Sequence, residues 1–166
     1  RVEGISRRTV EAMSSHRATD AGRCEIEAAC RGGFGIVTMT DPAYPRLLRE
    51  IPDPPPMLYV HGALEDLERT IAVVGSRHAT AYGLDTTRRL CADLAAIGFT
   101  VVSGMAVGID AAAHEGALGG GGRTVAVLGS GLAKVYPPLH RRLFDRIAAR
   151  GAVVSEFPID AAPEAH

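Results

Sequence analysis

The segment IAVVGSRHATAYG, residues 71–83, decides the fold class of this chain. Its first half is a run of apolar, mostly β-branched residues, which is typical of a strand buried on both faces of a sheet. The run ends at Gly75, and Ser76 and Arg77 follow at once. A buried strand that ends in a glycine turn beside a cation is typical of a phosphate-binding loop, although the dinucleotide fingerprint G-x-G-x-x-G is missing.

From this strand onward, strand and helix patterns alternate. The predicted strands are residues 71–75, 99–104, 124–131 and 152–157, and the predicted helices are residues 80–98, 108–120 and 139–151. In the first helix, Leu84, Leu90, Leu94 and Ile97 form the predicted apolar face, and Gly98 lies where a C-cap belongs. The alternation predicts an α/β protein with a Rossmann-like, doubly wound, mostly parallel sheet.

The first part of the chain is less regular. It favours a short helix over residues 20–33 and a strand over residues 34–40. The proline-rich segment 41–64 predicts an extended arm that crosses to the sheet and adds a strand at residues 57–62. We therefore predict an N-terminal helix and strand extension over residues 1–40, and a Rossmann-like domain over residues 41–166.

Composition and charge restrict the class of protein. The net charge of the 166 residues is −1, but residues 71–150 hold nine basic and five acidic side chains. This local surplus of four positive charges suits an anionic partner, and it equally suits ordinary surface arginines. The three cysteines show no C-x-x-C spacing, which favours free thiols in a reducing cytoplasm and no metal site. No apolar run approaches the ~18 residues of a membrane span.

The ends of the four predicted parallel strands form the candidate binding site. Because such ends share one edge of a sheet, ligands bind in the crevice there. The candidate residues are Gly75, Ser76, Arg77, Ser103, Gly104, Met105, Ala106, Gly129, Ser130, Gly131 and Lys134. Glycines let backbone N–H groups approach an anion, and Arg77 and Lys134 would neutralise it. The pattern predicts a phosphate-binding crevice.

Each of these residues also has a simpler interpretation. Gly75 and Gly129 fit tight strand-to-helix turns without any ligand. Arg77 fits a solvated surface charge. Ser76 and Ser103 fit helix caps or turns.

The chain carries few candidates for catalysis. Asp110 and His114 lie four residues apart on one helix face, which allows an acid–base pair, although a first-turn carboxylate favoured by the helix dipole is the simpler interpretation of Asp110. We expect His140 to be solvated in a basic helix, and Glu156 to orient a partner across the crevice or to cap a helix. The motifs G-x-x-x-x-G-K-[ST], G-x-S-x-G and H-E-x-x-H are all missing. We therefore expect no enzymatic activity, no cofactor and no metal.

Several segments, in this order, resemble the DNA-processing protein family DprA, also called Smf. They are DPAYPRLLREIPDPPPMLYVHGAL, IAVVGSRHATAYG, VVSGMAVGIDAAAHEGAL, TVAVLGSGLAKVYPPLH and GAVVSEFP, within residues 40–158. The resemblance implies a cytoplasmic protein that binds and protects incoming single-stranded DNA and helps to load the RecA recombinase in natural transformation. It also implies a homodimer in the full-length protein, and it assigns DNA contacts to Ser76, Arg77, Lys134 and the backbone of residues 103–106.

The chain departs from the family pattern in three places. Family members continue past SEFP into F-P-x-R-N-R, whereas this sequence ends at PEAH, so we expect it to be truncated before the C-terminal part of its domain. Ala133 stands where the family often has aspartate, which makes the third loop more positive. We expect residues 1–33 to hold at most a remnant of the family's N-terminal helical domain, and we expect this sequence to lack the C-terminal winged-helix-like domain.

Two other functions compete with DNA binding. One is a nucleotide-handling enzyme of related fold, such as a nucleoside-phosphate hydrolase, which relies on a P-G-G-x-G-T-x-x-E stretch. The nearest stretch here, LGGGGRTVAV at residues 118–127, has no glutamate. The other is a sensor that binds a small nucleotide in the crevice. Tyr82 and Phe157 lie near the predicted crevice, and each equally fits a packing role.

Overall fold

In the computed structural model, which describes residue 11 and residues 16–65 and 67–163, the chain forms a six-stranded sheet. The strands are β1 (Gly35–Thr38), β2 (Met57–Gly62), β3 (Thr70–Ala72), β4 (Thr100–Ser103), β5 (Thr124–Val127) and β6 (Ala152–Ser155). Their order across the sheet is β1-β2-β6-β5-β4-β3. The strands β3 to β6 run parallel, whereas β2 and β1 pair antiparallel at the β6 side. The predicted Rossmann-like α/β class with a mostly parallel sheet is confirmed.

The helices connect these strands as predicted. They are α1 (His16–Arg31), α2 (Arg46–Arg49), α3 (Ala81–Ala96), α4 (Ile109–Gly119) and α5 (Arg141–Arg150), the last preceded by a 3-10 turn at Pro138–His140. The Thr80 side chain caps α3 by accepting a hydrogen bond from the Gly83 N–H. Gly98 follows the helix with a φ of 86°, as its predicted role after the helix end requires. Within the described residues, no helix is long and apolar enough to span a membrane.

The predicted apolar face of α3 is wrong in part. Leu90 and Ile97 are 53% and 61% exposed, and the buried residues of the helix are Cys91 and Ala95. The reason is the close approach of α3 to α4. A Cβ on Gly116 would lie 2.4 Å from the carbonyl oxygen of Arg88, so only small side chains fit into this seam.

The two faces of the sheet are covered by different parts of the chain. Because β3 to β6 follow one another across the sheet in one direction, right-handed crossovers place α3, α4 and α5 on the same face. Consecutive residues of a strand point to opposite faces of the sheet. Val101 and Val153 pack under helices, whereas Val102 and Val154 point to the second face. That second face is packed by Tyr44 and neighbouring residues of the proline-rich arm. In the described part of the chain, the helices that connect the parallel strands therefore cover one face of the sheet, as in one half of a doubly wound fold.

The predicted N-terminal extension contacts the same sheet. Ala29 of α1 is fully buried in the core, and the Ile159 N–H donates a hydrogen bond of 2.5 Å to the Glu25 carboxylate. Strand β1 pairs with β2 in register from Gly35 to Thr38. The division of the chain at residue 40 stays a prediction, and the part of the extension at residues 1–10 and 12–15 lies outside the described residues.

Candidate functional site

A cavity of about 460 Å³ opens at the carboxyl ends of the parallel strands. It is lined by Arg77, Gly104, Ala106, Val107, Leu128, Gly129, Ser130, Tyr136, Pro137, Phe157 and Pro163. These residues follow β3, β4, β5 and β6, so the four loops that the sequence pattern singled out do meet at one place. We call this space the strand-end cavity.

The loop after β3 brings Arg77 to the strand-end cavity. The Ile109 N–H at the start of α4 donates to the Ser76 carbonyl oxygen at 3.2 Å. A Cβ on Gly75 would lie 2.6 Å from the Ile109 side chain, so the glycine allows this close contact. The Ser76 hydroxyl accepts from the His78 N–H at 3.0 Å, which closes a turn. Arg77 is exposed at the end of this packed loop.

The loop after β4 is closed by its own carboxylate. The Gly104 and Ala106 N–H groups donate to Asp110 Oδ2 at 3.2 and 3.4 Å, and Asp110 is buried. The Ser103 hydroxyl donates to the Val73 carbonyl oxygen at 2.7 Å, and the Met105 side chain is fully buried in the core. Because Asp110 already accepts from these two amides, this loop shapes the cavity wall, and the predicted contact of residues 103–106 with an anion stays a prediction.

In the loop after β5, some residues line the cavity and others are buried or exposed away from it. Gly129 and Ser130 line the cavity, and a Cβ on Gly129 would meet nothing within 4 Å. Gly131 is buried, and a Cβ there would lie 2.1 Å from the Pro158 carbonyl oxygen. Lys134 is exposed and does not line the cavity. The predicted convergence of Arg77 and Lys134 on one site therefore stays a prediction.

His114 and His140 form structural hydrogen bonds. The Thr124 hydroxyl donates to the Val101 carbonyl oxygen at 2.7 Å, so it accepts from His114 Nδ1 at 2.6 Å. Burial lowers the pKa of His114 to about 4, which keeps the ring neutral. Asp110 and His114 thus have different partners and do not form the acid–base pair considered above.

The expectation that His140 is solvated is wrong. His140 is buried, and its Nδ1 donates to the Met105 carbonyl oxygen at 2.9 Å. Met105 has a φ of 58°, and its carbonyl group lies inside the protein, where it needs a donor. His140 therefore fastens the start of α5 beneath the loop after β4.

Aromatic side chains complete the wall of the strand-end cavity. Tyr136 is 57% exposed and Phe157 is half-buried, and both line the cavity. Tyr82 is 82% exposed and does not line it. Our sequence interpretation missed Tyr136, whose position in the turn directly after the third loop was the available signal. An exposed aromatic ring and a cation in one cavity wall can contact a nucleic acid base and a phosphate.

The charge of the site is positive. Arg77 is the one charged side chain in the described lining of the cavity, and Glu156 is exposed outside it. Residues 16–65 and 67–163 contain no cluster of His, Cys, Asp and Glu that could hold a metal ion. A larger cavity of about 740 Å³ lies on the second face of the sheet, but its wall is mainly Leu, Val and Pro, and we do not place the site there.

The chain is similar to a family of known proteins. Residues 35–166 match the family model of DNA recombination-mediator protein A. The Smf protein of Synechocystis is 42% identical over 168 residues, which cover 98% of this chain and 42% of that protein. The DNA processing protein DprA of Bacillus subtilis is 33% identical over 134 residues, which cover 80% of this chain and 45% of that protein.

Two solved structures are similar to the chain. The X-ray structure of DprA from Streptococcus pneumoniae superposes with a TM-score of 0.74 at 39% identity, over 79% of this chain and 46% of that one. A structure that describes the single-stranded DNA binding mode of DNA processing protein A from Helicobacter pylori superposes with a TM-score of 0.67 at 29% identity, over 79% of this chain and 59% of that one.

The chain spans less than half the length of the curated relatives named above. The family model nevertheless covers residues 35–166, and the relatives from Synechocystis and Bacillus subtilis match at least 80% of the chain. On this ground the chain belongs to the DNA recombination-mediator protein A family, whose members carry the names DprA and Smf.

Proposed function

We propose that this protein binds single-stranded DNA at the strand-end cavity and takes part in DNA processing during natural transformation. The observation that carries the proposal is that Arg77, Tyr136 and Phe157 line one open cavity. A guanidinium neutralises a phosphate, whereas an aromatic ring stacks on any base. Together they recognise a single strand with little preference for its sequence.

The relatives support the same ligand. The Helicobacter pylori protein that shares this fold is described by its mode of binding single-stranded DNA, and the relatives from Bacillus subtilis and Streptococcus pneumoniae are named DNA processing proteins. We extend the proposal to the intact protein as a cytoplasmic homodimer that protects incoming single strands and helps to load the RecA recombinase. In this proposal it binds DNA and performs no chemistry on it.

The proposal assigns other predicted contact residues to the cavity wall, to the support of that wall or to the surface outside the cavity. Gly129 is open to a ligand, and the backbone of Gly104 and Ala106 forms the opposite wall. The side chains of Ser103 and Met105 and the backbone of Gly131 are buried, so we assign them to the support of the wall. Lys134 would contact a strand only outside the cavity.

Replacing Arg77 by alanine tests the proposal. We expect Arg77→Ala to weaken binding of a labelled single-stranded oligonucleotide about tenfold, because one charge-assisted phosphate contact is lost. The slope of log affinity against log salt should become shallower by about 0.7. Fluorescence anisotropy over a salt series measures both quantities.

The matched control for this experiment is Arg46→Ala. Arg46 is an exposed arginine that pairs with Glu50 at 3.4 Å on the second face of the sheet, so its removal changes the net charge equally. We expect its affinity for DNA to stay within about twofold of the parent. Equal affinities for the Arg77→Ala variant and the parent would refute DNA binding at the strand-end cavity.

A second prediction concerns base stacking by Tyr136. We expect Tyr136→Ala to weaken binding by at least fivefold, since a stacked base contributes about 1–3 kcal/mol. Tyr136→Phe should keep the affinity, because stacking needs the ring and not the hydroxyl. Tyr82→Ala is the control, since Tyr82 is an exposed tyrosine outside the cavity. Equal losses in Tyr136→Ala and Tyr82→Ala would show that Tyr136 has no special contact with DNA.

A further inference from the structure

The positive charge of residues 71–150 is not spread evenly over the surface. Three of the nine basic side chains are neutralised in ion pairs: Arg88 with Glu115, Arg89 with Asp85 and Arg141 with Asp145. Arg123 donates to the carbonyl oxygen of Ala63. The five cations that remain are Arg77, Lys134, Arg142, Arg146 and Arg150. Among residues 16–65 and 67–163, no ion pair neutralises any of these five.

Three of these cations form a line on α5. Arg142, Arg146 and Arg150 follow one another at intervals of four residues, so they lie on one face of the helix. All three are exposed, whereas Leu143, Phe144 and Ile147 bury the opposite face. The line runs from residue 142 to residue 150, and these eight steps correspond to a rise of about 12 Å. We call these three residues the arginine stripe.

The stripe starts next to the strand-end cavity. Tyr136 and Pro137 line the cavity, and the 3-10 turn Pro138–His140 connects them directly to α5. The His140 ring bonds to the Met105 carbonyl oxygen at 2.9 Å, which fixes the start of α5 under the loop that forms the cavity wall. From there, the helix leads away from the cavity toward β6 at Ala152. A strand that leaves the cavity on this side would meet Arg142 first.

The position of Arg142 in the first turn lowers the stability of α5, which favours a functional role for the stripe. The N-terminal end of a helix carries a partial positive charge, so cations in the first turn are unfavourable there by a few tenths of a kcal/mol or more. The first turn of α5 contains Arg141 and Arg142 and no acidic residue. Only Arg150 lies at the end of the helix that the dipole favours. Helix stability alone therefore does not account for this arrangement.

The chemistry of the stripe favours a polyanion over a protein surface. Protein interfaces need apolar or aromatic side chains at their centre. The exposed large apolar residues of the described chain include none within residues 141–150. The three arginines form no ion pair with a described residue, although Asp145 of the same helix pairs with Arg141. Cations spaced along a line match the repeating phosphates of a nucleic acid backbone.

We propose that the arginine stripe is a second contact surface for single-stranded DNA, which holds the backbone of the strand after it leaves the strand-end cavity. This inference rests on the proposed function, since it needs a strand bound at the cavity. It adds a dependence on strand length: a short oligonucleotide occupies the cavity alone, whereas a longer one also reaches α5.

The test compares two lengths of DNA in the intact protein. A variant with Arg142→Gln, Arg146→Gln and Arg150→Gln is titrated with labelled oligothymidine of about six and of about 25 nucleotides. We expect the variant to bind the long strand at least tenfold more weakly and with a salt slope shallower by about 2, and to bind the short strand within about twofold of the parent. Replacing the same three residues by lysine should restore binding of the long strand.

A matched control removes the same number of charges elsewhere. Arg23, Arg46 and Arg89 are exposed, and each pairs with an acidic residue three or four positions away, so their replacement by glutamine tests the effect of net charge alone. Melting temperatures of both triple variants check that the fold is intact. Two outcomes would overturn the inference. In one, the stripe variant binds the long strand with the same affinity as this control. In the other, its affinity for the short strand falls as much as its affinity for the long strand.

The two proposals fail in different ways. If Arg77→Ala binds both lengths as the parent does, the proposed function fails. If Arg77→Ala weakens both lengths while the stripe variant changes neither, the cavity keeps its function and the inference about α5 fails. Loss of the long strand alone in the stripe variant supports both.

Discussion

Replacing Gly108 by alanine should lower the free energy of unfolding by roughly 3 kcal/mol or more. Gly108 precedes α4 with a φ of 88° and a ψ of −129°, which side chains rarely tolerate. A Cβ there would also lie 2.2 Å from the Ser76 carbonyl oxygen and 3.0 Å from the Arg77 backbone. The substitution therefore pushes the loop that carries Arg77 away from the cavity.

Chemical denaturation and DNA titration measure the two consequences of Gly108→Ala. We expect weaker binding of single-stranded DNA even at temperatures where the variant is folded, because Arg77 is displaced. Gly121→Ala is the control for backbone strain, since Gly121 has a φ of 76° but open space around its Cα. It should cost only about 1 kcal/mol and leave binding unchanged. Equal stabilities of the two variants would show that the loop at Ser76 yields without cost.

Acid should destabilise the protein through His114. Burial lowers the pKa of His114 in the folded chain to about 4, from an ordinary value of 6.5 that applies when the chain is unfolded. Between these values the unfolded chain binds more protons than the folded one, so stability falls as the pH drops from about 6.5 to about 4. The loss amounts to roughly 3 kcal/mol, and above pH 6.5 this contribution is fully present.

Denaturation curves at several pH values check this prediction. His114→Asn keeps a donor for the Thr124 hydroxyl but does not titrate, so its stability should depend on pH less than that of the parent by roughly 3 kcal/mol over this range. The absolute stability of the variant is lower because the ring is lost, and the comparison concerns the slope. A His114→Asn variant with the parental slope would contradict the assignment.

The strands and helices followed from local patterns. Apolar runs predicted β3 to β6 and periodic runs predicted α3 to α5, because each pattern reflects which face of one element meets the core. The glycines after the strands indicated where the loops lie, and the edge shared by parallel strands indicated that the loops meet. Arg77 was found in this way, since it directly follows a buried strand.

The partners of polar groups could not be predicted in the same way. Asp110 accepts from Gly104 and Ala106, and His140 donates to Met105 across 35 positions of the sequence. Such bonds depend on where separate elements come to lie, and single positions carry no sign of them. The same reason explains Leu90 and Ile97, because the close contact of α3 with α4 determines which side chains fit between them.

Some features of the site follow from the sequence alone, and others depend on tertiary packing. The order of residues was sufficient to place a cation and glycines at one edge of a parallel sheet, because strand direction and chain connectivity impose that edge. Packing in three dimensions selected Arg77 and Tyr136 for the cavity wall, directed Met105 into the core and left Lys134 outside the wall. It also fixed the start of α5 beneath the loop after β4, since His140 bonds to the Met105 carbonyl oxygen. Side-chain direction depends on contacts between distant residues, which the chain acquires only when it folds.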